Sequence, residues 1–203
     1  MAYTSYMGNQ LLIGLSGTNG SGKDSVGHIL ARDYGCMFIS VTELLRKEAE
    51  NRGWSVDRKS LRTISTEWRK EFGLGVLIDK GVEAFEPHKN DFRGLSIASL
   101  RNPGEADRIH ALGGTVLWLD ADPHIRYERI QKNAATRDRA EEDNRTFEQF
   151  LDDERAEMYA PAGSDDTALN MHEVKERCDI IIDNDSNDLV SFGNRIATAL
   201  HLL

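Results

Sequence analysis

The sequence predicts an α/β domain in three layers, with a five-stranded parallel sheet sandwiched between helices. Three observations carry that expectation. Short runs of branched apolar residues recur along the chain, each nearly continuous rather than alternating, as required when both faces of a sheet are covered. Stretches with helical spacing lie between these runs, so successive strands are joined by crossovers and run parallel. A glycine-rich segment, Gly17-Thr18-Asn19-Gly20-Ser21-Gly22-Lys23-Asp24-Ser25, connects the first apolar run to the first helical stretch.

In chain order the strand candidates are Leu11–Ser16, Cys36–Ile39, Gly94–Leu100, Thr115–Leu119 and Asp179–Asp183. The helix candidates are Lys23–Tyr34, Thr42–Arg52, Asp57–Phe72, Leu74–Phe85, Pro103–Leu112, Pro123–Asn133, Thr146–Tyr159 and Asp188–Leu200. Pro103 and Pro123 stand at first helical positions, where a missing N–H costs nothing, and Asp122 and Asp188 are placed to cap. Residues 42–90 hold three helical segments in a row with no strand, which makes them an excursion off the sheet. Residues 134–146 are almost wholly polar and cannot bury a core, so they read as a surface loop or lid. The expected organisation is one domain over 1–203, with core segments 9–41, 91–133 and 147–203, a helical acceptor-binding excursion 42–90 and a lid 134–146.

A chain of 203 residues is long enough for one substantial core, and 39% hydrophobic with 29% charged residues is the composition of a soluble globular protein. The net charge of −9 speaks against a general nucleic-acid or anionic-membrane binder, which needs a broad basic face. No apolar run reaches the length of a membrane helix, and Met1–Gln10 lacks the basic-then-apolar pattern of a secretory signal. Cys36 and Cys178 have no CxxC partner and flank strand-like runs, which suits buried thiols in a reducing cytoplasm. The six histidines show no metal-ligand spacing.

The segment Gly17–Ser25 is a GxxxxGK phosphate loop. Its glycines let the backbone turn tightly enough for several N–H groups to point inward at phosphate oxygens. Lys23 adds a mobile cation, and the following helix presents its positive end. Asp24 stands where a Ser or Thr normally binds Mg²⁺.

Beyond the loop, Ser40-Val41-Thr42-Glu43-Leu44-Leu45-Arg46 resembles the Ser-Thr-Gly-Asp-Leu-Leu-Arg segment of nucleoside monophosphate kinases such as adenylate kinase, matching at Ser40, Leu44, Leu45 and Arg46. The resemblance implies that Ser40 and Arg46 face the acceptor and that Arg46 grips its phosphate, a role suited to a planar guanidinium fork. Arg46-Lys47-Glu48 is equally the spelling of a solvated helix surface. The segment Ser99-Leu100-Arg101-Asn102-Pro103-Gly104-Glu105 resembles the Ile-Arg-x-Pro-x-Glu element of a kinase branch that includes dephospho-CoA kinases and deoxynucleoside monophosphate kinases. It implies an acceptor-binding and catalytic Arg101 oriented by Glu105. Ala98 takes the place of that family's Asp, which helps hold Mg²⁺ through water or positions the acceptor.

In the same branch a Leu-Arg-x-x-x-Gly region corresponds to Leu61–Gly73, implying that Arg62 and Arg69 face the acceptor; Leu61, Ile64, Trp68 and Phe72 have the spacing of core contacts. The fourth strand leads to Arg126 and Arg129 and then to Arg137 and Arg139, which correspond to lid arginines that close over a triphosphate. Cys178–Asp185 is similar to the family's last strand, whose following loop borders the adenine, and so assigns Asn184 to the nucleotide.

The chain as a whole is similar to the P-loop nucleoside monophosphate kinase superfamily. The resemblance implies a P-loop NTPase fold of nucleotide-kinase type and transfer of the γ-phosphoryl of ATP to a (deoxy)nucleoside monophosphate, with Mg²⁺ as the metal. Gly17, Thr18, Asn19, Gly20, Ser21, Gly22, Lys23, Asp24, Ser25 and Asn184 then hold ATP. Lys23, Arg101, Arg137 and Arg139 act in transfer, and Ser40, Arg46, Arg69, Arg101 and Glu105 hold the acceptor. Asp24 is expected to hold the Mg²⁺, with Ser25 too far round the helix to do so. A dephospho-CoA kinase or another small-molecule P-loop kinase remains open, as does a regulatory protein that binds nucleotide without turnover, which Ala98 favours.

Overall fold

The computed structural model describes residues 10–133, 145–186 and 188–202. Its five strands are β1 (Leu11–Gly17), β2 (Cys36–Ser40), β3 (Gly94–Ala98), β4 (Thr115–Asp120) and β5 (Ile180–Asp183). They form one sheet in the order β2-β3-β1-β4-β5, every pair parallel. The phosphate-loop strand is therefore central: Leu15 pairs with Ala98 on one side and Leu117 on the other.

Among the described residues the helices are α1 (Lys23–Tyr34), α2 (Val41–Asn51), α3 (Arg58–Phe72), α4 (Val76–Phe85), α5 (Pro103–Ala111), α6 (Pro123–Lys132), α7 (Phe147–Met158), α8 (Met171–Glu176) and α9 (Leu189–Ala199), with a 3₁₀ turn at Glu86–His88. Alternate strand residues feed two cores, which is why the strands read as continuous apolar runs. Ile13, Leu15, Leu117 and Leu119 pack with Val26 and Leu30 of α1 and Phe192 and Ile196 of α9. Leu12, Leu95, Ile97 and Val116 pack on the other face against α2–α5 and Val174 of α8.

Local chemistry sets the element ends. The N–H of Gly35, in the left-handed region at φ 67°, closes α1 on the Leu30 carbonyl. Asp122 caps α6 through the His124 N–H at 2.8 Å, and Asp188 caps α9 through Val190 and Ser191. Pro103 and Pro123 do begin their helices. Two differences from the sequence reading stand out. Strand β3 stops at Ala98 rather than Leu100, because Ser99 turns the backbone into the left-handed region at φ 76°. Helix α8 lies in a polar stretch that carried no strong helical pattern.

Helices α2, α3 and α4 follow one another without a strand and pack together beside the carboxyl ends of β2 and β3. Most of the expected lid, 134–144, lies outside the described residues.

Candidate active site

The phosphate loop sits at the carboxyl end of β1, flanked by β3 and β4, where open α/β sheets place ligands. Glycine is required at Gly17, Gly20 and Gly22; at Gly20, φ is 81° and a Cβ would lie 2.8 Å from the Arg126 carbonyl oxygen. At Gly17, φ is 137° and a Cβ would lie 2.0 Å from the Leu119 carbonyl oxygen of the neighbouring strand. At Gly22, φ is 103° and a Cβ would lie 2.6 Å from Asn184 Nδ2. That Asn184 amide donates to the Ser21 carbonyl at 2.9 Å, so the buried side chain braces the loop from behind. Thr18 Oγ1 donates to Asp120 Oδ1 at 2.9 Å, tying the loop to the end of β4. The buried Arg126 of α6 backs the loop by donating to the carbonyls of Ala121 (2.7 Å) and Asn19 (3.3 Å), and it forms an ion pair with Glu154.

Lys23 Nζ donates to the loop carbonyls of Gly17 (2.8 Å) and Thr18 (2.7 Å). Burial, reinforced by the Arg101 charge, lowers its pKa to about 8, and nearby Asp24 and Glu157 only partly offset this. Its ammonium is thus held on the loop carbonyls beside Arg101, with Asp24 and Glu157 as the nearby carboxylates.

Asp24 is exposed on the first turn of α1 and borders the same cleft as Gly22, Lys23 and Ser25. Among the described residues no group of three or more His, Cys, Asp or Glu forms a metal cage. One accessible carboxylate beside a phosphate loop nevertheless fits Mg²⁺, which keeps several waters and binds one or two carboxylates together with substrate phosphates. Ser25 also borders this cleft. Ala98 is wholly buried in the apolar cluster with Leu15 and Val26, so at this position β3 presents no carboxylate to the loop.

A small cavity beside α6 and α7 borders Thr18, Asn19, Arg58 and Glu157, and two others meet at Arg101. The first of these two is the phosphate-loop cleft, bordered also by Ser40, Arg129 and Asn184. The second lies between α2 and α3, with Val41, Leu45, Leu61 and Leu77 as its apolar part and Arg46, Arg58, Arg62 and Arg69 among its polar residues. Asn19, Thr42, Ser99 and Arg101 border both. Ser99, a non-glycine residue at positive φ, sits at this junction; such strain persists only where surrounding structure holds it.

Glu105 acts on Arg101 through the backbone rather than the guanidinium. Its Oε2 accepts from the N–H groups of Arg101 (2.7 Å) and Asn102 (3.2 Å), closing a capping box at the start of α5. Its Oε1 meets Arg69 at 2.6 Å. Arg69 also donates to the Thr167 carbonyl and Ser65 Oγ, so two of its nitrogens are engaged in the pocket wall. The Arg101 guanidinium instead pairs with Glu157 of α7 at 2.9 Å. Glu157 also faces Arg62 at 3.3 Å and Arg58 at 3.8 Å. Burial pushes its pKa up most strongly, but the charges of Arg101, Arg58, Arg62 and Lys23 together outweigh that and hold it below the usual carboxylate range. Arg46 borders the pocket with Glu43 3.4 Å away. Arg137 and Arg139 lie outside the described residues.

Sequence reasoning missed Arg58, Glu157 and the buried role of Arg126. Arg58 stands in the first turn of a charged helix, and Glu157 ends the run Asp152-Asp153-Glu154-Arg155-Ala156-Glu157, where neighbouring acids are solvated. The only signal for Glu157 was periodic: it lies seven residues after Phe150, the other buried position of α7.

With this geometry in place, the family model for the AAA domain AAA_18 matches residues 13–151. The chain belongs to the AAA_18 family of AAA domains. A UPF0200 protein of Pyrococcus abyssi is 28% identical over 156 residues, covering 73% of this chain and 78% of its own. One of Methanocaldococcus jannaschii is 25% identical over 149 residues, covering 73% of each. Among solved structures, shikimate kinase from Bacteroides thetaiotaomicron superposes with a TM-score of 0.59 at 14% identity, over 94% of this chain and 98% of that one. TT1252 from Thermus thermophilus gives 0.58 at 18% identity, over 96% and 99%. These likenesses establish a P-loop kinase-like fold, an α/β domain around a five-stranded parallel sheet. Among the described residues no helix is long and apolar enough to cross a membrane.

Proposed function

We propose that this AAA_18 domain is a small-molecule kinase that moves the γ-phosphoryl of ATP onto a phosphate-bearing acceptor, with a (deoxy)nucleoside monophosphate as the favoured class. The observation that carries the reading is the meeting of the phosphate-loop cleft with the arginine-bearing pocket at Thr42, Ser99 and Arg101. A donor phosphate on the loop and an acceptor in the pocket would approach each other there, which is what an in-line transfer needs.

In this reading the N–H groups of Gly17–Lys23 cradle the triphosphate, and Lys23 leaves the loop carbonyls to follow charge onto the transferring group. Arg101 spans both cavities, and Arg46 supplies a second cationic contact to the acceptor. The apolar side of the pocket, Val41, Leu45, Leu61 and Leu77, receives the uncharged body of the acceptor. Arg137 and Arg139 are proposed to complete the charge around the triphosphate. Asp24 is the residue that would hold Mg²⁺, which supplies neutralisation of phosphate charge. Catalysis rests on positioning and electrostatics, with no covalent intermediate.

The buried Ala98 favours one other reading, a nucleotide-binding regulator without turnover. The two separate on ADP release with Mg-ATP and a panel of nucleoside monophosphates together with dephospho-CoA. Acceptor-dependent ADP with a monophosphate is the expected result. Turnover with dephospho-CoA alone would reassign the acceptor. Nucleotide-induced thermal stabilisation without turnover on any acceptor would establish the regulator.

A further inference from the structure

The Glu157 carboxylate lies among three guanidinium groups from two separate parts of the chain: Arg58 and Arg62 on α3, and Arg101 after β3. Its side chain is 8% exposed. Of the other pocket arginines, Arg69 is paired with Glu105, while Arg46 has Glu43 3.4 Å away and keeps a buried Nε with no hydrogen-bond partner. Asp153 also approaches Arg58, at 3.4 Å. Among the described residues, the ion pairs of these three guanidinium groups run to Glu157 and Asp153, so a single buried carboxylate is shared by three forks. Arg101 additionally borders the phosphate-loop cleft, and Arg69 keeps a buried Nε with no hydrogen-bond partner in the wall of the same pocket.

We propose that Arg58, Arg62 and Arg101 form the seat for the acceptor's phosphate group, and that Glu157 occupies that seat until the acceptor displaces it. A carboxylate brings one negative charge and two oxygens. A phosphate monoester brings a charge of roughly −1.5 to −2 and three acceptor oxygens. Several guanidinium forks match the second better than the first. The exchange places the acceptor phosphate beside Arg101, next to the donor cleft, and moves the end of α7 outward. Arg46 then lies along the pocket, toward the body of the acceptor. The inference rests on the phosphotransferase reading for its biological meaning, but its test needs neither ATP nor turnover. Failure of the seat would leave the phosphotransferase reading standing with the acceptor phosphate held elsewhere in the pocket, as by Arg46, and absence of turnover would leave the seat standing.

The test is calorimetric titration of inorganic phosphate into the full chain, at constant ionic strength, for the wild type, Glu157→Gln, Arg62→Gln and the double variant. Glu157→Gln is expected to bind phosphate at least tenfold more tightly than the wild type, and adding Arg62→Gln is expected to abolish the gain. Unchanged or weaker binding in Glu157→Gln would overturn the proposal, because Glu157 would then be a structural tie. So would a gain that survives Arg62→Gln, which would locate the phosphate in the Lys23 loop. If Glu157→Gln does not fold, amide exchange in the wild-type chain decides. Saturating phosphate is expected to speed exchange in the last turn of α7, and unchanged or slower exchange there would refute displacement.

Discussion

Arg69 and Glu105 meet at 2.6 Å with their side chains 2% and 0% exposed, and this pair fastens the helical excursion to the sheet. Glu105 spends its other oxygen on the N–H groups of Arg101 and Asn102, so one carboxylate fixes both α3 and the turn that carries the arginine shared by the two cavities. Removing Arg69 strands a buried charge, whose cost is about 3–5 kcal/mol. Arg69→Met is therefore expected to lower unfolding free energy in urea by that amount. A loss under about 1 kcal/mol would show that the pair is not the fastening it looks to be.

Lys23 gives a pH signature. In the folded chain it loses its proton near pH 8, against 10.5 for an ordinary lysine. Between those values the unfolded chain binds more protons than the folded one, so this group's contribution to stability rises with pH across that window. Nucleotide binding runs the other way. Phosphates on the loop favour the ammonium, so affinity for ATP is expected to fall above pH 8 and binding to take up protons there. Calorimetry in two buffers of different ionisation enthalpy measures that uptake. Binding with no proton uptake at pH 9 would contradict the role given to Lys23.

The contact between Gly22 and Asn184 separates two kinds of damage. Asn184→Ala loses one buried hydrogen bond to the Ser21 carbonyl, worth about 1 kcal/mol, and should weaken nucleotide binding by a factor on the order of five. Gly22→Ala combines a positive φ with a Cβ 2.6 Å from Asn184 Nδ2 and should weaken it far more. Equal effects in a nucleotide titration would mean that the loop's shape does not depend on this contact.

Asp24→Asn tests the metal assignment without reading activity. The wild type is expected to bind ATP more tightly when Mg²⁺ is present, and the variant to lose most of that difference while keeping its metal-free affinity. An undiminished Mg²⁺ effect would move the metal contact to Ser25, which borders the same cleft.

The strands were legible because burial on both faces leaves no polar position in a run such as Leu11–Leu15, and the loop because its glycines and Lys23 are spelled in order. The cap residues Asp122 and Asp188 were legible for the same local reason. Glu105 was visible as a charge at a helix start, but its partner Arg69 lies 36 positions away, a separation no local pattern reports. Beyond its seven-residue spacing from Phe150, Glu157 gave no sign in the sequence, because its burial is imposed by α3 and Arg101, not by its neighbours in α7. Helix α8 escaped notice because its short amphipathic stretch is stabilised by tertiary contacts: Asn170 donates its N–H to the Arg101 carbonyl, and Asn102 reaches across to the carbonyls of Asp166 and Ala168.

The most direct test of the central claim follows the phosphoryl group itself. The chain is incubated with Mg-ATP labelled at the γ-phosphate and the acceptor that gives the most ADP, and the label is located among acceptor, water and protein. Label recovered on the acceptor's phosphate, in step with ADP and lost in Arg101→Gln, is the predicted result. Label released only as inorganic phosphate, at a rate no acceptor changes, would contradict the account.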